Sequence, residues 1–137
     1  MSNSMKPRLI WQRIVRGYDD YDVYDVYDWF INTFPKILDT MADTNTYTYP
    51  QDFKGVDDWN QTIREIAALF RESDEINCSK QNEYMKDYCY RKFELGDENA
   101  VLDPGWSAKE KEITKYRSKC LKDAFKLLEK HIERLWI

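Results

Sequence analysis

Five carboxylates crowd one short stretch, Tyr18-Asp-Asp-Tyr-Asp-Val-Tyr-Asp-Val-Tyr-Asp-Trp-Phe30, and they are the first residues to weigh for chemistry. Clustered acids can hold a divalent cation, act as an acid–base pair, or imitate the phosphates of a nucleic acid. On a helix Asp22, Asp25 and Asp28 step around the axis instead of converging, and no calcium-loop spacing is present, so no metal site is expected. An acid–base pair needs a second wall, which one helix does not supply. The phosphate-mimic reading suits the charge: residues 18–58 carry a net −8.

Other catalytic sets are missing. His131 is the single histidine, Cys78, Cys89 and Cys120 form no C-x-x-C pair, and no Gly-rich phosphate loop occurs. Neither a zinc site nor a Ser/His or Cys/His nucleophile can be assembled, so the reading is non-enzymatic, with no cofactor. His131 is expected to be a packed or capping residue, and the thiols to be reduced and mostly buried.

Projected on a helix, the Tyr-Asp repeat divides. Val23, Tyr27 and Phe30 join Phe34, Ile37 and Met41 at 4-3-4-3-4 spacing as an apolar stripe. Asp25 and Asp28 lie opposite, near Tyr21, while Tyr24 and Trp29 sit at the borders. Solvation and capping account for the acids, whereas three large aromatics outside the stripe suit either a neighbouring helix or a binding surface. Asp20, Tyr21, Asp22, Tyr24, Asp25, Asp28 and Trp29 are the candidate partner-binding set. A second reading makes the region a nucleotide site: Tyr18, Tyr24 or Trp59 stacks the base, and Arg13 or Arg16 meets phosphate.

The elements that must position these residues are helical. The chain has 137 residues, 42% of them apolar, with only four Gly and four Pro, which favours an all-α bundle of four to five helices in one domain, its residues 1–5 frayed. Lys6–Arg16 reads as a short basic helix with Ile10, Ile14, Trp11 and Val15 on one face, stopped by Gly17; it packs as a first helix or lies on a membrane surface, and packing is preferred. The second helix is capped by Asp19 or Asp20 and kinked, not split, at Pro35. Thr44 to Gly55 is a loop, with a short extended piece at 46–49.

Val56, Trp59, Ile63, Ile66 and Phe70 mark a third helix ending near Ser73. Residues 79–95 make a fourth, capped by Ser79, with Tyr84, Met85, Tyr88 and Cys89 inward and Gly96 as its stop. Ser107-x-x-Glu110 is a capping box opening the last helix. There Leu121, Phe125, Leu128, Ile132 and Leu135 form a broad face, alongside Cys120, Ala124 and Leu127. This face is assigned to the core with a contribution to a homodimer.

Charge is segregated along the chain. Residues 1–17 carry +4, 59–106 carry −4 and 107–137 carry +4, so the basic ends are suited to docking on the acidic middle or to meeting different partners. A net charge of −4 disfavours direct nucleic-acid binding. No run of about 18 apolar residues is present, giving no membrane partner and a cytoplasmic reading.

Arg16-Gly-Tyr18-Asp-Asp20-Tyr-Asp22-Val-Tyr24-Asp-Val26, with Pro35, Leu38, Tyr49-Pro50, Trp59 and Phe70, resembles a group of small proteins of tailed bacteriophages. Their shared opening reads roughly Arg-Gly-Tyr/Trp-Ser-Asp-x-Asp-Leu-Trp-Asn-Leu-Asp. The likeness covers about residues 13–72; Asp19 stands for Ser and Tyr27 for Asp, and the C-terminal helices have no counterpart. It implies phage or prophage origin and action in the cytoplasm of an infected bacterium, without a mechanism. Three functions are then expected in this order: an interaction protein inhibiting a host defence component through the acidic aromatic surface, a nucleotide-sequestering binder, and a virion or assembly component.

Overall fold

A computed structural model describes residues 6–137, and the expected fraying of 1–5 lies outside them. The described residues are helices joined by loops: α1 (Pro7–Arg16), α2 (Asp20–Tyr24), α3 (Val26–Thr44), α4 (Val56–Ser73), α5 (Glu83–Cys89) and α6 (Trp106–His131). The fold is all-α, as composition and periodicity predict. No helix among these residues is long and apolar enough to cross a membrane.

The core lies where α4 is gripped between α3 and α6. Every third or fourth residue of α4 points inward, and Trp59, Ile63, Ile66, Ala67 and Phe70 are all fully buried. From α3 come Ile31, Leu38 and Ala42, and from α6 Ala124 and Leu128. Phe30, Phe34, Phe70 and Phe125 form one aromatic group, with Phe70 meeting the other three edge-on at 5.2–5.8 Å. Phe53, Trp59 and His131 form another, so His131 is a packed residue.

Two apolar stripes are rotated from their expected register. In α3 the buried line is Ile31, Pro35, Leu38 and Ala42, while Phe30, Phe34 and Met41 flank it. Val23, Tyr27 and Ile37 are exposed, contrary to the stripe drawn through them. Phe30, Phe34 and Met41 pack against the rim of the core, and the face that α3 turns to α4 carries Ile31, Pro35, Leu38 and Ala42. The same holds for α6, where Cys120, Ala124 and Leu128 are buried and Phe125 and Ile132 are exposed.

Pro35 lies inside an unsplit α3. The break falls at Asp25 instead, ahead of Val26. Asp25 leaves helical geometry (φ −137°, ψ 79°) and accepts a hydrogen bond from the Asp28 amide at 2.9 Å, starting a new helix.

Gly17 takes φ +83°, a left-handed conformation that costs glycine little, and its amide closes α1 on the Arg13 carbonyl. The α4 boundaries agree with the expected third helix, and Gly96 (φ +65°) ends the α5 region. That region begins later than expected, because Ser79 does not cap it. The Ser79 hydroxyl and amide donate to Glu72 at 2.7 and 3.0 Å. Of the residues assigned inward, Tyr84 is exposed and Met85, Tyr88 and Cys89 are half-buried; the helix then widens into a π turn over Tyr90–Glu94.

The Ser107–Glu110 capping box does not form, since α6 starts at Trp106. Glu110 instead accepts a hydrogen bond from Asn82 at 3.0 Å. The loop between α3 and α4 contains no strand. Asn45 and Asn60 clasp it through two 2.9 Å bonds, and Asn45 also closes an Asx turn on Thr48.

Candidate functional site

The Tyr-Asp stretch is shaped by two aspartate caps, one reciprocal and one single. Asp19 accepts from the Asp22 amide at 3.0 Å while Asp22 accepts from the Asp19 amide at 2.9 Å, a reciprocal box that starts α2. Six residues on, Asp25 caps α3 through Asp28. The signal was present in the repeated spacing Asp19-x-x-Asp22 and Asp25-x-x-Asp28. Reading the stretch as one uninterrupted helix hides it.

The first three acids face α1. The Arg13 guanidinium bonds Asp19 at 2.7 Å and Asp22 at 3.1 Å, Arg16 bonds Asp20 at 2.7 Å, and Arg8 lies 3.6 Å from Asp20. Gln12 adds a reciprocal pair with Asp20, at 2.9 Å each way. Hydrogen bonds from Arg13 and from Gln12 and Arg16 hold the Asp19 and Asp20 carboxyls below their ordinary range, and Asp19 in turn raises Arg13. The basic N-terminal segment thus docks on the acidic middle. At the other end, the Arg134–Asp52 ion pair joins the basic C-terminal segment to the same acidic region.

This docking divides the expected partner-binding set. Asp20 and Asp22 are engaged internally and half-buried. Asp25 and Asp28 are exposed and make no ion pair among the described residues; the Asp28 carboxylate accepts from the Asn32 side chain. Tyr21, Tyr24 and Trp29 are exposed, Tyr24 to 82%. Val23, expected on the apolar stripe, and Val26 are exposed as well.

Tyr27 is tied down. Its hydroxyl donates to Asp74 at 2.8 Å, joining α3 to the loop after α4. Burial and the adjacent Asp74 push the phenol up to about 12.

The nucleotide set is not brought together. Trp59 is 0% exposed and cannot stack a base. Arg13 and Arg16 already hold acids, and Arg16 lies over Tyr18 at 4.6 Å from the ring centroid. Nor do Asp22, Asp25 and Asp28 gather; among the described residues no group of three or more His, Cys, Asp or Glu is placed to hold a metal ion.

Two features lie outside the sequence reading. Glu72 is a junction for three segments: besides Ser79 it accepts the Tyr116 hydroxyl at 2.8 Å, which raises the Tyr116 phenol. The other is α1 itself. Its polar face is turned inward onto α2, with Leu9 buried, and its apolar face of Ile10, Trp11, Ile14 and Val15 is turned outward. This overturns the expectation that those four pack as an ordinary first helix. The charge pattern wins because four polar partners, Arg8, Gln12, Arg13 and Arg16, find matching acids within reach. Compared with known protein families, curated proteins and solved structures, the chain matches none.

Proposed function

We propose that this protein is a non-enzymatic interaction protein that engages a partner through the exposed part of the Tyr-Asp element: Tyr21, Tyr24, Asp25, Asp28 and Trp29. The observation that carries the reading is the pairing of exposed aromatics with two carboxylates that have no basic partner of their own among the described residues. Such aromatics bring large contact area at low entropic cost, and the acids select a basic partner surface. Asp20 and Asp22 serve the element by fastening α1 behind it.

The resemblance of residues 13–72 to small tailed-phage proteins supports a phage origin. With it comes a host protein, in particular a defence component, as the partner inside an infected bacterium. The nucleotide reading is not carried further, because Trp59 is in the core and both arginines are occupied.

Asp25 caps α3 and Asp22 completes the capping box of α2, so reversing their charge disturbs folding together with binding. The Tyr24→Ala, Asp28→Lys double variant avoids both caps. In a pull-down from lysate of a susceptible bacterium it is expected to lose the partner that the parent captures, with an unchanged circular dichroism spectrum. Equal capture by a folded variant removes this surface from the function.

A further inference from the structure

The face that α6 turns to the core carries Ile113, Cys120, Ala124 and Leu128, all buried. Its opposite face carries lysine. At about 100° per residue, Lys111, Lys115, Lys122 and Lys126 fall within an arc of about 60°, half a turn from the buried residues. They form a line about 22 Å long at a rise of about 1.5 Å per residue. All four are exposed, and none makes an ion pair among the described residues.

The acids of this helix stand aside from the line. On its edge Asp123 holds Lys119 at 2.8 Å, and Glu112 reaches back to Lys109 at 3.8 Å. Between 111 and 126 no acid lies inside the arc, and Glu129 ends the line. Lys111 with Lys115 and Lys122 with Lys126 are like charges one turn apart, an arrangement that destabilises a helix. A bound anion removes that repulsion.

We infer that this face of α6 binds the phosphate backbone of duplex DNA. Lysine meets phosphate as a point charge, and the arc lacks the arginine and aromatic anchors on which protein interfaces are built. Single strands are held by stacking on aromatic side chains. The aromatics beside the arc are otherwise occupied: Tyr116 donates to Glu72, and Phe125 packs edge-on against Phe70. A bilayer is a poorer partner, because no apolar side chain stands among the lysines to enter it. The wide major groove of B-form DNA admits a helix between two rows of phosphates, whereas that of A-form RNA is deep and narrow.

The net charge of −4 belongs to the whole chain and not to this face. The first acids of the Tyr-Asp element are neutralised by Arg13 and Arg16, and charges more than about 10 Å away are largely screened at 0.1 M salt. The local lysines therefore decide what this face attracts, which qualifies the expectation drawn from net charge.

The test is fluorescence anisotropy of a labelled, mixed-sequence DNA duplex over a salt series. The parent is expected to bind, with affinity falling roughly a hundredfold between about 50 and 200 mM salt as four contacts release counterions. Changing Lys111, Lys115, Lys122 and Lys126 together to Gln is expected to weaken binding at the lower salt by at least about tenfold. These positions are exposed, so the circular dichroism spectrum should not change. A control variant with Gln at the exposed Lys36, Lys54, Lys86 and Lys92 removes the same charge elsewhere and is expected to bind as the parent does. Tyr24→Ala with Asp28→Lys is expected to bind DNA no less tightly than the parent, which separates this surface from the Tyr-Asp element. A parent that does not bind the duplex at the lower salt, or an equal loss in the control variant, overturns the proposal. So does tighter binding to single-stranded DNA or duplex RNA of the same sequence, or to phosphatidylserine vesicles in place of the duplex.

Discussion

His131 is buried against Trp59 and Phe53, and its Nδ1 lies 3.2 Å from the Arg134 guanidinium. Arginine can only donate, so Nδ1 accepts and the ring has no place for a second proton there. Burial first, and then Arg134 and Lys130, lower its pKa from the ordinary 6.5. A folded pKa below the unfolded one means that the unfolded chain binds the extra proton. His131 therefore costs nothing above 6.5, and stability falls as pH drops through that value towards the lowered one. The carboxylates of Asp19, Asp20, Asp52 and Glu72, also lowered, lose their contribution only near and below their ordinary values of 3.8–4.5. Urea titrations of the parent between pH 7 and 5 are expected to show declining stability. His131→Phe should flatten that slope while retaining the acid transition below it.

Within the N-terminal elements, α1 is fastened by charge and the long helices by apolar burial, and the two respond differently to salt. The Arg13 and Arg16 pairs with Asp19, Asp20 and Asp22 are partly exposed and screened within about 10 Å at 0.1 M salt. Hydrogen exchange at raised salt is expected to accelerate at the amides of residues 8–16 and Asp20–Tyr24 and to leave α4 unchanged. Equal slowing or equal acceleration across both regions would mean that α1 is held by buried apolar contacts. Such salt sensitivity also bears on function, since α1 is tied to the acids Asp20 and Asp22 that flank Tyr21.

For the molecule as a whole, the balance rests on α4 between α3 and α6, and the rotated α3 register makes a clear test. Leu38 is buried and Val23 exposed. Leu38→Ala should destabilise the protein by about 2–5 kcal/mol through lost transfer energy and the cavity left behind. Val23→Ala should stay within about 0.5 kcal/mol, as other surface changes do. Chemical denaturation measures both; comparable losses would restore the stripe through Val23.

The sequence by itself determined helix content, the limits of α4, the stops at Gly17 and Gly96, and the attraction of the basic ends to the acidic middle. These depend on local spacing, backbone freedom and net charge, which are properties of neighbours along the chain. Three things were decided only by tertiary structure. The register of the α3 and α6 stripes follows from which face each helix turns to α4, so Leu38 and Ala124 are buried while Ile37 and Phe125 are exposed. The partners of Ser79 and Glu110 are distant acids and amides that outcompete the local caps. The orientation of α1 depends on which of its faces finds a match within reach. Its periodicity places Ile10 and Ile14 together but does not say what lies opposite. In this fold the acids of the Tyr-Asp element are nearest, and an apolar face of the same helix is left for another surface.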